Sequence, residues 1–191
     1  GHWGHITLSQ PLYHISWINH TLHWLRSLCE GCGVLRGEGT LRNRASRSHR
    51  MCKCGVKRAK YGWDKTRACI MRDDEVYPAF KALERFRAYE SGCQSEHTPS
   101  DLILTVFPVP PLHVRPPLMS GGRTRGEDDL TYRFQNIVRK NEALAKCLSS
   151  EKPEVVVDQA REALQNSLTG YINHNKLTNR RHRNKREYTS L

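Results

Sequence analysis

The chain has 191 residues, 37% hydrophobic and 8% aromatic, enough for one large domain or two small ones around a thin core. Its formal net charge of +12 and pI near 9.6 suit a protein that meets phosphate or acidic partners, and no run of eighteen apolar residues exists to span a membrane as a helix. No signal-peptide pattern opens the chain, so its seven cysteines point to a reducing compartment and metal binding over disulfides.

Taken in order, Ile6, Leu8 and Leu12 predict a short strand within residues 1–14, interrupted at Pro11. Residues 15–28 predict a helix. Ile15, Ile18, Leu22, Leu25 and Leu28 recur at three or four residues and make one apolar face, with Ser16 as a cap and Gly31 and Gly33 as the stop. Cys29-Glu-Gly-Cys32-Gly follows at once, and Cys52-Lys-Cys54-Gly begins nineteen residues after Gly33. Two closely spaced cysteine pairs, each followed by glycine, supply four thiolates for one tetrahedral Zn²⁺. A site closed in this way is structural, since no ligand position is left for substrate. A redox Cys-x-x-Cys is the weaker alternative, because no βαβ pattern surrounds it.

Between the pairs, Arg42, Arg44, Arg47 and Arg50 sit in a Ser- and Gly-rich loop that either touches phosphate or is solvated. Lys57, Arg58 and Lys60 extend this basic stretch. Residues 56–71 predict a short hairpin. Asp73 and Asp74 predict the start of a helix through Tyr89, with Val76, Phe80, Leu83 and Phe86 as its stripe and Pro78 tolerated near its start. Residues 102–107 read as a buried strand that Pro108 ends. Prolines 108, 110, 111, 116 and 117 then predict an extended exit close to polyproline II.

Residues 120–126 read as a loop, and Asp128 or Asp129 as the cap of a helix with Leu130, Phe134, Ile137, Val138, Leu144 and Leu148 on one face. Pro153 opens a last helix, striped by Val156, Ala160, Ala163, Leu164, Leu168 and Tyr171, which should pair antiparallel with the one before. From Asn173 the periodicity collapses. Lys176, Arg180, Arg181, Arg183, Lys185 and Arg186 form a basic run that reads as disordered in isolation, as a nucleic-acid arm or as an import signal. The expected fold class is α+β, mostly helical with a few short strands.

Four stretches in this order resemble the largest subunit of multisubunit DNA-dependent RNA polymerase, in its N-terminal clamp region. They are Gly1-His-Trp-Gly-His-Ile, Pro11-Leu-Tyr-His-Ile, Leu102-Ile-Leu-Thr-Val-Phe-Pro-Val-Pro-Pro-Leu-His-Val-Arg-Pro and Glu127-Asp-Asp-Leu-Thr. The eukaryotic and archaeal branch is the more similar, and a viral origin stays open. The resemblance implies a zinc-stabilised clamp fragment of a longer protein, with Cys29, Cys32, Cys52 and Cys54 at one zinc site and Cys69 as the substitute ligand. His2 matches the last ligand of a second zinc site and stands as an orphan.

The resemblance divides the chain into a zinc-bearing clamp part (1–100), a strand, proline-rich crossing and loop (101–126), an antiparallel helical pair (127–173) and a basic tail (174–191). Its implied partners are the other polymerase subunits, DNA and the RNA–DNA hybrid, in the nucleus, or in the cytoplasm or virion for a viral protein; no membrane and no small-molecule substrate is implied. Mg²⁺ belongs to the complete polymerase, and the Asn-Ala-Asp-Phe-Asp-Gly-Asp loop that holds it does not occur in these residues. The chain alone is therefore expected to be inactive. Nucleic-acid contacts are expected from Arg42, Arg44, Arg47, Arg50, Lys57, Arg58 and Lys60, and from Arg180, Arg181, Arg183, Lys185 and Arg186. Val106, Phe107 and Val109 are expected to be buried and Arg115 to point outward. A free-standing zinc-ribbon regulator and a module presenting its proline tract to an SH3 or WW domain are the rival readings.

Overall fold

The computed structural model describes residues 2–35, 52–57, 59–91, 98–120 and 124–173. The predicted contacts at Arg42, Arg44, Arg47, Arg50, Arg58, Arg180, Arg181, Arg183, Lys185 and Arg186 lie outside the described residues, as does the basic tail. The fold class is α+β, with four α-helices and short antiparallel strands among the described residues.

An antiparallel ribbon of β1 (Gly4–Tyr13) and β5 (Ile103–Val109) runs through the middle. One end of it, Tyr13 and Ile103, is buried in a first core with α1 (Ile18–Ser27), α2 (Ala79–Glu90) and the three-stranded sheet β2 (Tyr61–Asp64), β3 (Cys69–Arg72), β4 (Glu75–Tyr77). Leu8, Leu12 and Phe107 of the same ribbon lie in a second core with α3 (Asp129–Ser149) and α4 (Glu154–Ile172). The ribbon is therefore common to both cores. A small hairpin, β6 (Leu118–Ser120) with β7 (Thr124–Gly126), occupies the stretch expected to be a loop.

The ladder slips between Thr7 and Leu12, so Pro11 falls in an irregular segment and ends nothing. Two amide side chains take over the hydrogen bonds there. Asn141 accepts from Ser9 N–H at 2.8 Å and donates to Thr7 C=O at 2.9 Å. Gln165 accepts from Tyr13 N–H at 2.9 Å and donates to Tyr13 C=O at 2.8 Å. In this way helices α3 and α4 hold β1 much as a neighbouring strand would.

Several expectations need correction. The ladder continues through Pro108, which pairs with His5 and does not end it. Every second N–H of a two-stranded ribbon faces away from its partner, so a proline there removes no ladder bond. Val106 is 46% exposed, while Phe107 is 4% exposed and Val109 half-buried, because side chains alternate between the two faces of a strand. The proline exit is not extended throughout, since Leu112–Val114 form a 3-10 turn. Arg115 turns inward. Its guanidinium lies 5.4 Å from the Phe134 ring centre, and its Nε donates to Pro110 C=O at 3.2 Å.

Asp73 and Asp74 do not begin a helix. They form the β3–β4 turn with φ of 45° and 73°, a left-handed conformation that aspartate tolerates better than most side chains. Asp73 N–H donates to Lys60 C=O, and its carboxylate accepts from Lys60 N–H. Val76 is consequently in β4, and α2 starts only after Pro78, whose extended backbone sits at the N-cap. Ser16 makes no cap bond, because a 3-10 turn at Ile15–Trp17 precedes α1.

The helical pair follows its sequence pattern more closely. Asp128 caps α3 by accepting from Leu130 N–H at 3.1 Å. Arg133 bonds to Gly170 C=O and Lys140 to Ser167, so α3 and α4 run antiparallel. Phe134, Ile137, Leu144, Leu164 and Leu168 are buried between them. Val138, Leu148 and Val156 are exposed, and Val157 packs where Val156 was expected.

Candidate metal centre

The cysteine pairs lie on two tight backbone turns. In the first, Cys29 N–H donates to Val34 C=O and Gly33 N–H to Cys29 C=O, each at 3.0 Å. In the second, Cys52 N–H donates to Val56 C=O at 3.0 Å and Gly55 N–H to Cys52 C=O at 2.9 Å. Gly33 and Gly55 have φ of 68° and 84°, which explains why glycine follows the second cysteine each time. Gly31 lets the turns approach: a Cβ there would come within 2.6 Å of Val56 Cγ2.

This packing brings the Sγ atoms of Cys29, Cys32, Cys52 and Cys54 within 4.8 Å of one another. Cys29 and Cys54 are 3.4 Å apart, and Cys32 and Cys52 3.7 Å. A tetrahedral zinc with Zn–S bonds of about 2.3 Å sets its sulfurs roughly 3.8 Å apart. The donor set and its spacing therefore fit a thiolate-preferring divalent metal. Crowding also perturbs the thiols. The Cys54 N–H pushes Cys52 down. At Cys54 the Val56 N–H favours the thiolate, but the Cys29 thiol, desolvation and the thiols of Cys52 and Cys32 together outweigh it and push Cys54 up to about 11. A cation bound by all four removes that opposition by favouring every thiolate at once.

Glu30, between Cys29 and Cys32, ties the first turn to the cysteine-side core. Its carboxylate pairs with Arg72 at 2.7 Å and Arg85 at 3.6 Å and accepts from the Tyr61 hydroxyl. Arg85 also donates to Tyr61 Oη at 2.8 Å and to Leu28 C=O, next to Cys29. Burial, reinforced by the Glu30 bond, raises the Tyr61 hydroxyl above its ordinary range, so it stays a donor. Nothing in the sequence pattern marked these contacts of Glu30, Arg85 and Tyr61, since they span from 24 to 57 residues of chain.

Cys69 lies outside the cluster, on β3 against Met71 Sδ at 3.8 Å, and burial pushes its thiol up to about 11. His2 is exposed just before β1 and also outside the cluster. Lys57 and Lys60 are exposed beside the second cysteine turn.

The sequence matches the family described as RNA polymerase Rpb1, domain 1, over residues 58–191. It is 26% identical over 208 aligned residues to the DNA-directed RNA polymerase subunit Rpo1N of Sulfolobus acidocaldarius, covering 90% of this chain and 24% of that protein. Rpo1N of Methanothermobacter thermautotrophicus is 28% identical over 202 residues, covering 90% of this chain and 23% of its own. Rpo1N of Thermococcus celer is 25% identical over 213, covering 91% and 24%. The chain thus spans about a quarter of the length of the curated relatives it matches. A match over residues 58–191, together with an α+β fold and a four-sulfur cluster, places the chain in the family of Rpb1 domain 1, the N-terminal part of the largest RNA polymerase subunit.

Proposed function

We propose that this chain is part of the clamp of a DNA-directed RNA polymerase and helps hold template DNA and the RNA–DNA hybrid. The family match over residues 58–191 carries the reading. The contribution is grip through charge and shape, with no reacting group supplied by these residues. Zn²⁺ at Cys29, Cys32, Cys52 and Cys54 braces the cysteine side, and folding free energy is stored in the bound metal. The division at residues 100, 126 and 173 is carried as part of the same reading. Arg42 to Lys60 and Lys176 to Arg186 supply sequence-independent phosphate contacts. The other polymerase subunits are the protein partners, and the site of action is wherever that polymerase transcribes.

Two measurements test it. Elemental analysis of the purified chain should find one zinc per molecule, and Cys29→Ser should release it and melt the residues around both cysteine turns; a variant that keeps metal and stability refutes the assignment. In the assembled polymerase, alanine at Arg42, Arg44, Arg47 and Arg50 should flatten the dependence of log Kd on log salt by about 0.9 for each phosphate no longer neutralised. An unchanged slope removes these residues from the nucleic-acid interface.

A further inference from the structure

We propose that the cysteine cluster is also an oxidative modification site, in which disulfides form across the two turns, Cys32 with Cys52 first and Cys29 with Cys54 second. The idea rests on the metal-site reading and adds which sulfurs join when the metal is lost. Two sulfur pairs, each with one member from either turn, approach to 3.4 and 3.7 Å. Cys32 and Cys54 are exposed and Cys52 half-buried, whereas Cys29 is fully buried. Both members of the Cys32–Cys52 pair are therefore open to an oxidant, whereas in the Cys29–Cys54 pair only Cys54 is. Bonding within a turn is the poorer route, above all for Cys52-Lys-Cys54, whose small ring resists the dihedral that a disulfide prefers.

The oxidant is a peroxide. One thiolate attacks a peroxide oxygen, the O–O bond breaks, and the departing hydroxide is protonated to water, leaving a sulfenic acid. The partner thiolate attacks that sulfur, the S–O bond breaks, a second hydroxide leaves as water and the S–S bond forms. Each pair loses two electrons and consumes one hydrogen peroxide and two protons. Two such events turn four anionic ligands into two neutral disulfides, and a divalent cation held among them is released. Cys69, half-buried against Met71 and outside the cluster, is a bystander.

The chain carries its own cleavage sites for the test. Trypsin cuts after Arg26, Arg36, Arg50, Lys53 and Lys57, and Glu-C cuts after Glu30, so the four cysteines fall on separate peptides, 27–30, 31–36, 51–53 and 54–57. The full chain is titrated with hydrogen peroxide, capped with iodoacetamide, digested with both proteases without reduction and mapped by mass spectrometry. A metal-sensitive dye reads zinc in parallel. Peptide 31–36 should link to 51–53 at low peroxide, and 27–30 to 54–57 at higher peroxide. In Cys32→Ser the link between peptides 31–36 and 51–53 should vanish at every peroxide concentration. Links within a turn, links to peptides bearing Cys69, Cys93 or Cys147, or four capped thiols overturn the proposal. Bound zinc with no cross-turn links refutes this inference alone. Cross-turn links in a chain that never held zinc support the pairing and refute only the metal reading.

Discussion

Replacing Gln165 with methionine tests how the two cores are tied together. Gln165 is 4% exposed, and its amide serves both the N–H and the C=O of Tyr13, itself 3% exposed. Methionine fills nearly the same volume but leaves both backbone groups without partners in a site closed to water. Each orphaned group costs about 1–3 kcal/mol. The apolar replacement returns about 1 kcal/mol, so the net loss centres on roughly 3 kcal/mol. With a urea m-value of about 2 kcal/mol/M, the unfolding midpoint should fall by about 1.5 M, read by far-UV circular dichroism. Asn141→Ala is the control. Its bonds to Ser9 and Thr7 are more open to water, which can replace them, so its loss should be well under half as large. A midpoint shift below about 0.3 M for Gln165→Met would show that β1 is held by apolar packing and not by this amide, and a larger shift for Asn141→Ala would refute the argument that burial sets the cost.

Glu30→Ala should cost about 3 kcal/mol, since it leaves the Arg85 guanidinium, with a side chain 10% exposed, without its carboxylate. Chemical denaturation of the purified chain measures the loss, and a loss under 1 kcal/mol would mean that Tyr61 and Leu28 suffice to satisfy Arg85. Arg115→Ala should lower stability by about 1 kcal/mol, through the lost stacking on Phe134 and the bond to Pro110. If Arg115 served only an outside partner, melting of the isolated chain would not change. Burial lowers the His14 pKa, with its own backbone hydrogen bond opposing, and its Nδ1 has no partner among the described residues. The folded state therefore resists protonation. Stability is unaffected well above pH 6.5 and falls as pH drops from there toward the lower folded value, because the unfolded chain takes up the proton first. His14→Gln should remove that part of the pH slope in chemical denaturation, and an unchanged slope assigns it to other groups.

Features set by near neighbours in the chain were legible in the sequence. The helical stripes of α1 and α3, the Asp128 cap and the glycine after each second cysteine all depend on residues a few positions apart, where side-chain chemistry and backbone geometry meet directly. The family was legible for the same reason, since its short motifs are contiguous. Tertiary structure decided the rest. Asp73 and Asp74 suit both a helix start and a left-handed turn, and the partner strand at Val76–Tyr77 chose the turn. Gln165 looked like an ordinary polar helix residue until folding brought Tyr13, 152 positions away, against it. Arg115 and Val106 exchanged their expected sides because strand alternation and the Phe134 ring set their directions. The sequence by itself determined the main helices, the two cysteine turns and the family they belong to. Which face each element presents, and how one ribbon serves two cores, followed from contacts that exist only once distant parts of the chain have met.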